Sequence, residues 1–252
     1  MYKKLIIVVA ISVILSSCVS LPVYHSINES EFDKETIYSG YDTNSRLRWL
    51  VSNDSLNLYI RLDTENPTTI KKIVNLGIKI QIDTTAKKNE GMFLNYPIFE
   101  TDQLSRKDKK RVESNINNLN ERTVKLGLML QKTSSTVKFI KEKKIHIFNA
   151  YDKDADVTVE LKADDNGNLQ YFTKIPFNLI SNTKFNIFSL GINIDGFDID
   201  MQDKQNEKNN NNIFNSNADK RKGRHSSETS SFEHRPELAK DIDIWFKVNL
   251  TN

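Results

Sequence analysis

The stretch Arg46-Leu47-Arg48-Trp49-Leu50-Val51-Ser52-Asn53-Asp54-Ser55-Leu56-Asn57-Leu58-Tyr59-Ile60-Arg61-Leu62-Asp63 decides the fold. Leu47, Trp49 and Val51 alternate with Arg48 and Leu50, and Leu56, Leu58, Ile60 and Leu62 alternate with Asn57, Tyr59, Arg61 and Asp63. A side-chain period of two marks a strand with one face in a core, and Ser52 to Ser55 supplies turn chemistry between the runs. The stretch therefore reads as a β-hairpin. Trp49 shares its face with Leu47 and Val51 and is assigned to the core.

Working toward the C-terminus, Asn66 offers a helix cap and Pro67 suits a first helical turn, which needs no N–H there. Ile70, Ile73 and Val74 follow at helical spacing before Gly77 ends the helix. Ile78, Ile80 and Ile82 resume period two against Lys79, Gln81 and Asp83, and Thr84 to Pro97 reads as a polar loop carrying Met92, Phe93 and Tyr96. Ser105 and Asp108 form a capping box ahead of Val112, Ile116 and Leu119, which predicts a surface helix. Val124, Leu126, Leu128 and Leu130 predict a strand, and Ile145, Ile147 and Phe148 another after the basic turn of Lys141, Lys143 and Lys144.

Val157, Val159 and Leu161 alternate before Asn166-Gly167, a dipeptide suited to a two-residue type I′ turn. Such a turn places Asp165 opposite Asn168 and Leu161 opposite Phe172. The returning strand ends at Ile175-Pro176, and Phe185 to Ile194 is the next buried strand. Met201 to Lys240 contains four consecutive asparagines, Asn209 to Asn212, and few large apolar residues, too few to repay its ordering entropy. It is predicted to be a disordered insertion, with Lys220, Arg221, Lys222 and Arg224 as a solvated basic knot. Ile242, Ile244, Phe246, Val248 and Leu250 alternate again, so the last strand returns to the same domain. The expected fold is mostly β: a single β-sandwich over residues 46–252, immunoglobulin-like or jelly-roll-like, with one or two surface helices and a long disordered loop before the last strand.

Ahead of this domain, residues 19–45 lack a sustained period and read as a tether into a first edge strand. The chain itself opens with Lys3 and Lys4 followed by Leu5 to Leu15, apolar except for Ser12. A positive start and a short apolar run make a secretory signal, and eleven such residues fall short of the roughly 20 that a spanning helix needs. Leu15-Ser16-Ser17-Cys18 resembles the lipobox of bacterial lipoproteins. The resemblance implies a signal peptide over residues 1–17, a diacylglycerol on the thiol of Cys18, an N-acyl lipid on its new amino group, and a lipidated tether over residues 18–45. Cys18 is the one cysteine of the chain, so an exported form has no internal disulfide to make. Two or three acyl chains anchor far more firmly than one. Among lipoproteins of double-membrane bacteria, Val19 in place of an aspartate implies the outer membrane. The expected location is the cell envelope, with the lipid bilayer as a partner.

Lys3 and Lys4 leave with the signal, so 34 of the 36 basic residues remain against 33 acidic ones. That balance argues against nucleic-acid binding. The four histidines, His25, His146, His225 and His234, are dispersed, and no nucleophile elbow, metalloprotease helix or phosphate loop occurs. The chain is accordingly read as non-enzymatic and without a cofactor. Asp152, Asp154 and Asp156 alternate as calcium-loop ligands do, but Val157 and Ala163 stand where an EF-hand has its glycine and glutamate. A solvated turn is the preferred reading of them, with structural calcium as the alternative. Asp195, Asp198 and Asp200 form a second acidic cluster.

Three blocks carry a further resemblance: Ser52 to Leu62, Thr69 to Ile73 running into Gly77 to Asp83, and Leu169 to Phe172 running into Ile175-Pro176. They look like the β-sandwich domains grouped with family nine carbohydrate-binding modules and DOMON domains. Gln81 stands where that group has an aromatic residue, and Tyr171-Phe172 replaces a Tyr-Glu pair. The resemblance implies a sandwich that binds a small ligand, often a sugar, and some members hold calcium. Sugar sites use exposed rings that stack on a pyranose face; the candidates are Trp245, Tyr59, Tyr96 and Phe93. Trp245 points away from Ile244 and Phe246 on the last strand. The function expected is a lipid-anchored, non-enzymatic binding module for a glycan or other small ligand. The alternative is a structural or interaction lipoprotein that serves an envelope-protein complex.

Overall fold

In the computed structural model, residues 20–32, 38–89, 91–98, 119–197 and 236–251 are described. The signal segment and Cys18 lie outside them, as do the predicted capping box and most of the helix after it. The opening stretch forms strands β4 (Leu47–Asn53) and β5 (Asn57–Thr64), with Trp49 opposite Leu62 and Val51 opposite Ile60. Leu56, expected on the core face, sits instead in the turn and is 70% exposed. The Asp54 carboxylate explains this, because it accepts from the backbone N–H groups of Leu56 (2.7 Å) and Asn57 (2.6 Å) and so pulls Leu56 into the turn.

Helix α1 (Pro67–Leu76) forms where Asn66, Pro67 and Gly77 predict it. The Asn66 side chain accepts from the Thr68 N–H at 2.9 Å, and Ile70, Ile73 and Val74 are buried. β6 (Ile78–Asp83) and β7 (Met92–Tyr96) follow. The region read as a strand from Val124 is helical: α2 spans Leu119–Gln131. Leu126, Met129 and Leu130, at i, i+3 and i+4, face the core, while Val124 and Leu128 are exposed. Within a period-two run the residues four apart also share one face of a helix, here Leu126 with Leu130, and Lys125 and Met129 within the run favour helix over strand.

β8 (Thr136–Lys141) and β9 (Lys144–Asn149) form a hairpin, as do β10 (Thr158–Ala163) and β11 (Leu169–Pro176). The latter is shifted by one residue from expectation, pairing Leu161 with Tyr171 rather than Phe172. Gly167 alone takes a positive φ in that turn, and its N–H reaches the Asp164 carbonyl at 3.0 Å. The Asp164 carboxylate also accepts from the N–H groups of Asn166 and Asn168. A three-residue loop ending in a left-handed glycine results. Since a one-residue slip exchanges faces, Tyr171 enters the core and Phe172 leaves it. The two-residue loop with two positive φ values occurs instead at Glu142 and Lys143, between β8 and β9.

A four-residue turn of helix, α3 (Phe177–Ile180), leads on to β12 (Ile187–Ile194). Residues 198–235, which hold most of the predicted insertion, lie outside the described residues. Pro236–Ala239, expected within the insertion, is the short helix α4, with Leu238 buried; β13 (Ile242–Asn249) closes the chain. The chain leaves and re-enters at one point: the Phe197 N–H donates to the Leu238 carbonyl at 2.8 Å.

Two mixed sheets face each other. One runs β1-β13-β12-β6-β7-β8-β9, and the other β10-β11-β5-β4-β2 with β3 also on β4; β1 is Val23–His25, β2 is Ile27–Asn28 and β3 is Gly40–Asp42. Their inner faces share one apolar core, from Leu47, Ile60 and Tyr171 on one side to Ile80, Leu94, Leu190 and Phe246 on the other. This is a mostly β sandwich, as expected.

Residues 22–28, read as part of a tether, are instead bound into the sandwich. β1 pairs in parallel with β13, β2 pairs in parallel with β4, and the Pro22 carbonyl accepts from the Lys247 N–H. The cause is Tyr24, whose ring meets Trp49 and Phe246 edge-on at 5.8 and 5.2 Å, while those two stack on each other at 5.1 Å. Between β1 and β2, Ser26 crosses from one sheet to the other, and its hydroxyl accepts from the Thr251 N–H at 2.8 Å. Scattered apolar residues without a period thus hide two short strands that stitch the sheets together.

Candidate ligand-binding face

The outward side of the seven-stranded sheet carries the candidate site. Alternation along each strand puts Trp245, Gly191, Gln81, Phe93, Ile140 and Ile145 side by side in one register row on that side. The next row holds Asp243, Asn193, Lys79, Asn95, Lys138 and Ile147. Two of the four predicted rings, Trp245 and Phe93, therefore share one face, three strand spacings or roughly 14 Å apart.

Gly191 determines how the first ring lies. A Cβ built there would come within 2.6–2.8 Å of three atoms of the Trp245 six-membered ring, so the indole crosses directly over the β12 backbone. Its Nε1–H donates to Asp243 Oδ1 at 2.7 Å. The Asn193 amide donates to the same oxygen, and the Asn193 carbonyl oxygen accepts from Gln81 Nε2 at 2.7 Å. This relay fixes the amide orientations from one end: Asp243 accepts only, so Asn193 presents its oxygen to Gln81 and Gln81 must donate with its nitrogen.

Gln81 Oε1 is left over. Gln81 is 3% exposed, and among the described residues this oxygen has no hydrogen-bond partner. Such an acceptor costs about 1–3 kcal/mol unless something supplies a donor. Trp49 Nε1 and the Tyr171 hydroxyl are likewise unpartnered, but both belong to the inner core. Gln81 differs in lying on the outer side, between two rings.

Two lysines border the row. Lys88 Nζ sits 5.3 Å from the Trp245 ring centre and 3.4 Å from Asp243 Oδ2, and Lys79 Nζ sits 4.5 Å from the Phe93 ring centre. Asp83 shapes the loop that delivers Lys88: its carboxylate accepts from Thr85 N and Oγ1, Lys87 N and Asn89 N at 2.7–3.0 Å. Burial pushes its pKa up, but these bonds outweigh burial and hold it below the usual carboxylate value.

The other predicted rings do not join this face. Tyr59 lies on the outside of the six-stranded sheet, buried, with its hydroxyl on Asp54 Oδ2 at 2.7 Å. Burial and that bond push its pKa up to about 12. Tyr96 points inward and is buried, which raises its pKa to about 12. It borders a hollow of about 160 Å³ with Leu130, Gln131, Thr133 and Tyr151. That volume is well below the roughly 300–1,000 Å³ of a small-molecule pocket. Asp152, Asp154 and Asp156 do not converge: Asp152 Oδ1 accepts from the Asp154 N–H at 3.0 Å in a local turn. Among the described residues no group of three carboxylate, histidine or cysteine side chains is placed to hold a metal ion.

Sequence reasoning singled out Trp245 and Phe93 but missed Gln81, Asn193 and Gly191. Gly191 carried a usable signal, since an isolated glycine inside a buried strand marks the close approach of another group. No family model matches this chain, and no match was found among curated proteins or solved structures.

Proposed function

We propose that this chain is a lipid-anchored, non-enzymatic binding module of the cell envelope, and that its ligand lies on the outer face of the seven-stranded sheet between Trp245 and Phe93. The observation that carries the reading is Gln81 Oε1, a buried acceptor with no donor, at the floor of a row walled by two rings. A hydroxyl-rich ligand such as a glycan supplies both parts that this row lacks. Its hydroxyl donates to Gln81 Oε1 once the groups that cover that buried oxygen give way, and its C–H face rests on the rings. Asn95 and Asn193 flank the same floor with amides suited to hydroxyl groups. Lys88 already lies over Trp245, so a ligand stacking on that ring either displaces the ammonium or pairs with it.

The anchor rests on the lipobox resemblance of Leu15 to Cys18. Mass spectrometry of the chain isolated from its host membrane should find an acylated Cys18 as the first residue, and the Cys18→Ala form should leave the membrane fraction. For the ligand, glycan-array screening followed by calorimetry should find a binder whose affinity falls at least tenfold in Trp245→Ala and in Gln81→Leu. Binding that is absent, or indifferent to both substitutions, overturns the assignment.

A further inference from the structure

We infer that the face just described docks flat on an anionic membrane surface, with the β8–β9 hairpin as its second foothold; this deepens the binding reading above and rests on the same row of residues. Beyond Phe93 the row continues through Ile140 to Ile145, and Ile147 stands beside it on the same side. Ile145 and Ile147 are 55% and 66% exposed on an edge strand. Residues 136–149 carry four lysines, Lys138, Lys141, Lys143 and Lys144, against the single acidic Glu142. Lysines alone on an edge strand are a defence against strand-to-strand aggregation. They do not explain two large bare isoleucines on the same strand. Exposed aliphatic side chains ringed by lysine fit the boundary between anionic headgroups and acyl chains, where the ammonium groups meet phosphate and the side chains enter the layer.

The position of the N-terminus gives the same orientation. Pro22 is bonded to β13, so Cys18 is only four residues from the fold, a reach of about 14 Å at full extension. β13 and β9 lie near opposite edges of a sheet roughly 29 Å wide. A membrane anchor at one edge and a lysine–isoleucine hairpin at the other reach one plane together when the outer face lies down on it. Trp245, Lys88 and Phe93 then sit between the two footholds. The hydroxyl groups that the row takes up are those of headgroups in that surface.

The test uses residues 19–252 without lipid, which include every described element, and vesicles of phosphatidylcholine alone or mixed three to one with phosphatidylglycerol. The chain should sediment with the mixed vesicles, bind at least tenfold less to the neutral ones, and be released by salt. Ile145→Ser with Ile147→Ser, and separately Lys143→Glu with Lys144→Glu, should each weaken binding at least fivefold without loss of folding by circular dichroism. Brominated lipids should quench Trp245 and leave the buried Trp49 bright. Failure to bind the mixed vesicles, or binding by both hairpin variants as tight as that of the unaltered chain, overturns the inference; so does a dimer in sedimentation that Ile145→Ser with Ile147→Ser dissolves, because the edge then pairs with a second copy. Soluble glycan binding that needs Trp245, without vesicle binding, keeps the ligand site and removes the membrane. Vesicle binding without any soluble ligand keeps the membrane and removes the free glycan.

Discussion

Gly191→Ala is the sharpest probe of the Trp245 platform. The new methyl carbon would lie 2.6 Å from Cζ2, 2.7 Å from Cε2 and 2.8 Å from Cη2 of Trp245. Ordinary carbon contacts start at about 3.5 Å, so the ring must rise by roughly 1 Å. That motion lengthens and bends the 2.7 Å bond from Nε1 to Asp243. The losses are at most about 1 kcal/mol for the bond and about 1 kcal/mol for overpacking, the low end because the ring is free to move outward. Alanine in a strand interior returns about 0.5–1 kcal/mol over glycine. The net cost is about 1 kcal/mol, or roughly 2–4 °C in Tm for a domain of this size. In a Trp245→Ala background the obstacle is gone, and the same substitution should be neutral or stabilising. The coupling between the two sites is therefore about 1–2 kcal/mol. Urea denaturation of the four chains measures it, and acrylamide quenching gives a second reading, since the chain has two tryptophans and Trp49 is buried. Additive effects and unchanged quenching would refute the placement of the ring over Gly191.

Three further outcomes are expected. Asp83→Asn should cost about 2–3 kcal/mol at neutral pH, because an amide nitrogen would then face backbone N–H donors. The folded pKa of Asp83 is depressed, so its stabilisation is complete above the unfolded value near 3.8 and is lost as pH falls through the folded one; acid titration of Tm should be flatter in the variant. Replacing residues 199–235 with a four-residue glycine–serine link should leave the fold intact and raise stability by up to about 2 kcal/mol, since Phe197 and Leu238 already touch and a shorter loop costs less entropy; a large drop in Tm would show that the insertion packs on the sandwich. Lys88→Ala should raise affinity for a neutral glycan by uncovering Trp245 and lower binding to anionic vesicles, with calorimetry and sedimentation as the respective measurements.

The parts of the fold that were legible are those written in adjacent residues. The hairpin at Leu47 to Leu62 and the helix from Asn66 to Gly77 each carry period, cap and stop within a few positions. The failures came where a short pattern satisfies two structures or where distant chain decides. Val124 to Leu130 fits both a strand and a helical stripe. Asn166-Gly167 suggests one turn, but the carboxylate of Asp164 selects another and shifts the register by one. Residues 22–28 have no period of their own, because their strands exist through β13 and β4 and through the Trp49 and Phe246 rings that Tyr24 meets. The site was half legible for the same reason. Trp245 announces itself as an aromatic residue on a polar face and Phe93 as one in a stretch that reads as a polar loop but is strand β7, whereas Gln81 acquires its meaning from Asn193 and Asp243, more than 100 residues away.

The two outer faces of the sandwich are finished differently, and that asymmetry is the argument for where this protein does its work. Outside the six-stranded sheet, the chain covers itself. Arg61 pairs with Glu29 from the turn after β2, lies 3.8 Å from the centre of the Phe32 ring and 5.1 Å from that of Phe172, and donates to the Ser52 hydroxyl. Arg48 pairs with the buried Asp63, and Tyr59 bonds to Asp54. Every one of these outward polar groups has an internal partner, which leaves little for a ligand to add. Outside the seven-stranded sheet, the polar relay starts at Trp245 and stops one bond short at Gln81, and the apolar row runs on to two bare isoleucines at its edge. Both deficits, an acceptor without a donor and exposed apolar side chains, lie in adjacent rows of one face. A single external surface offering hydroxyl donors and an apolar layer removes both at once, which is why the face and its edge are best read as one site rather than two.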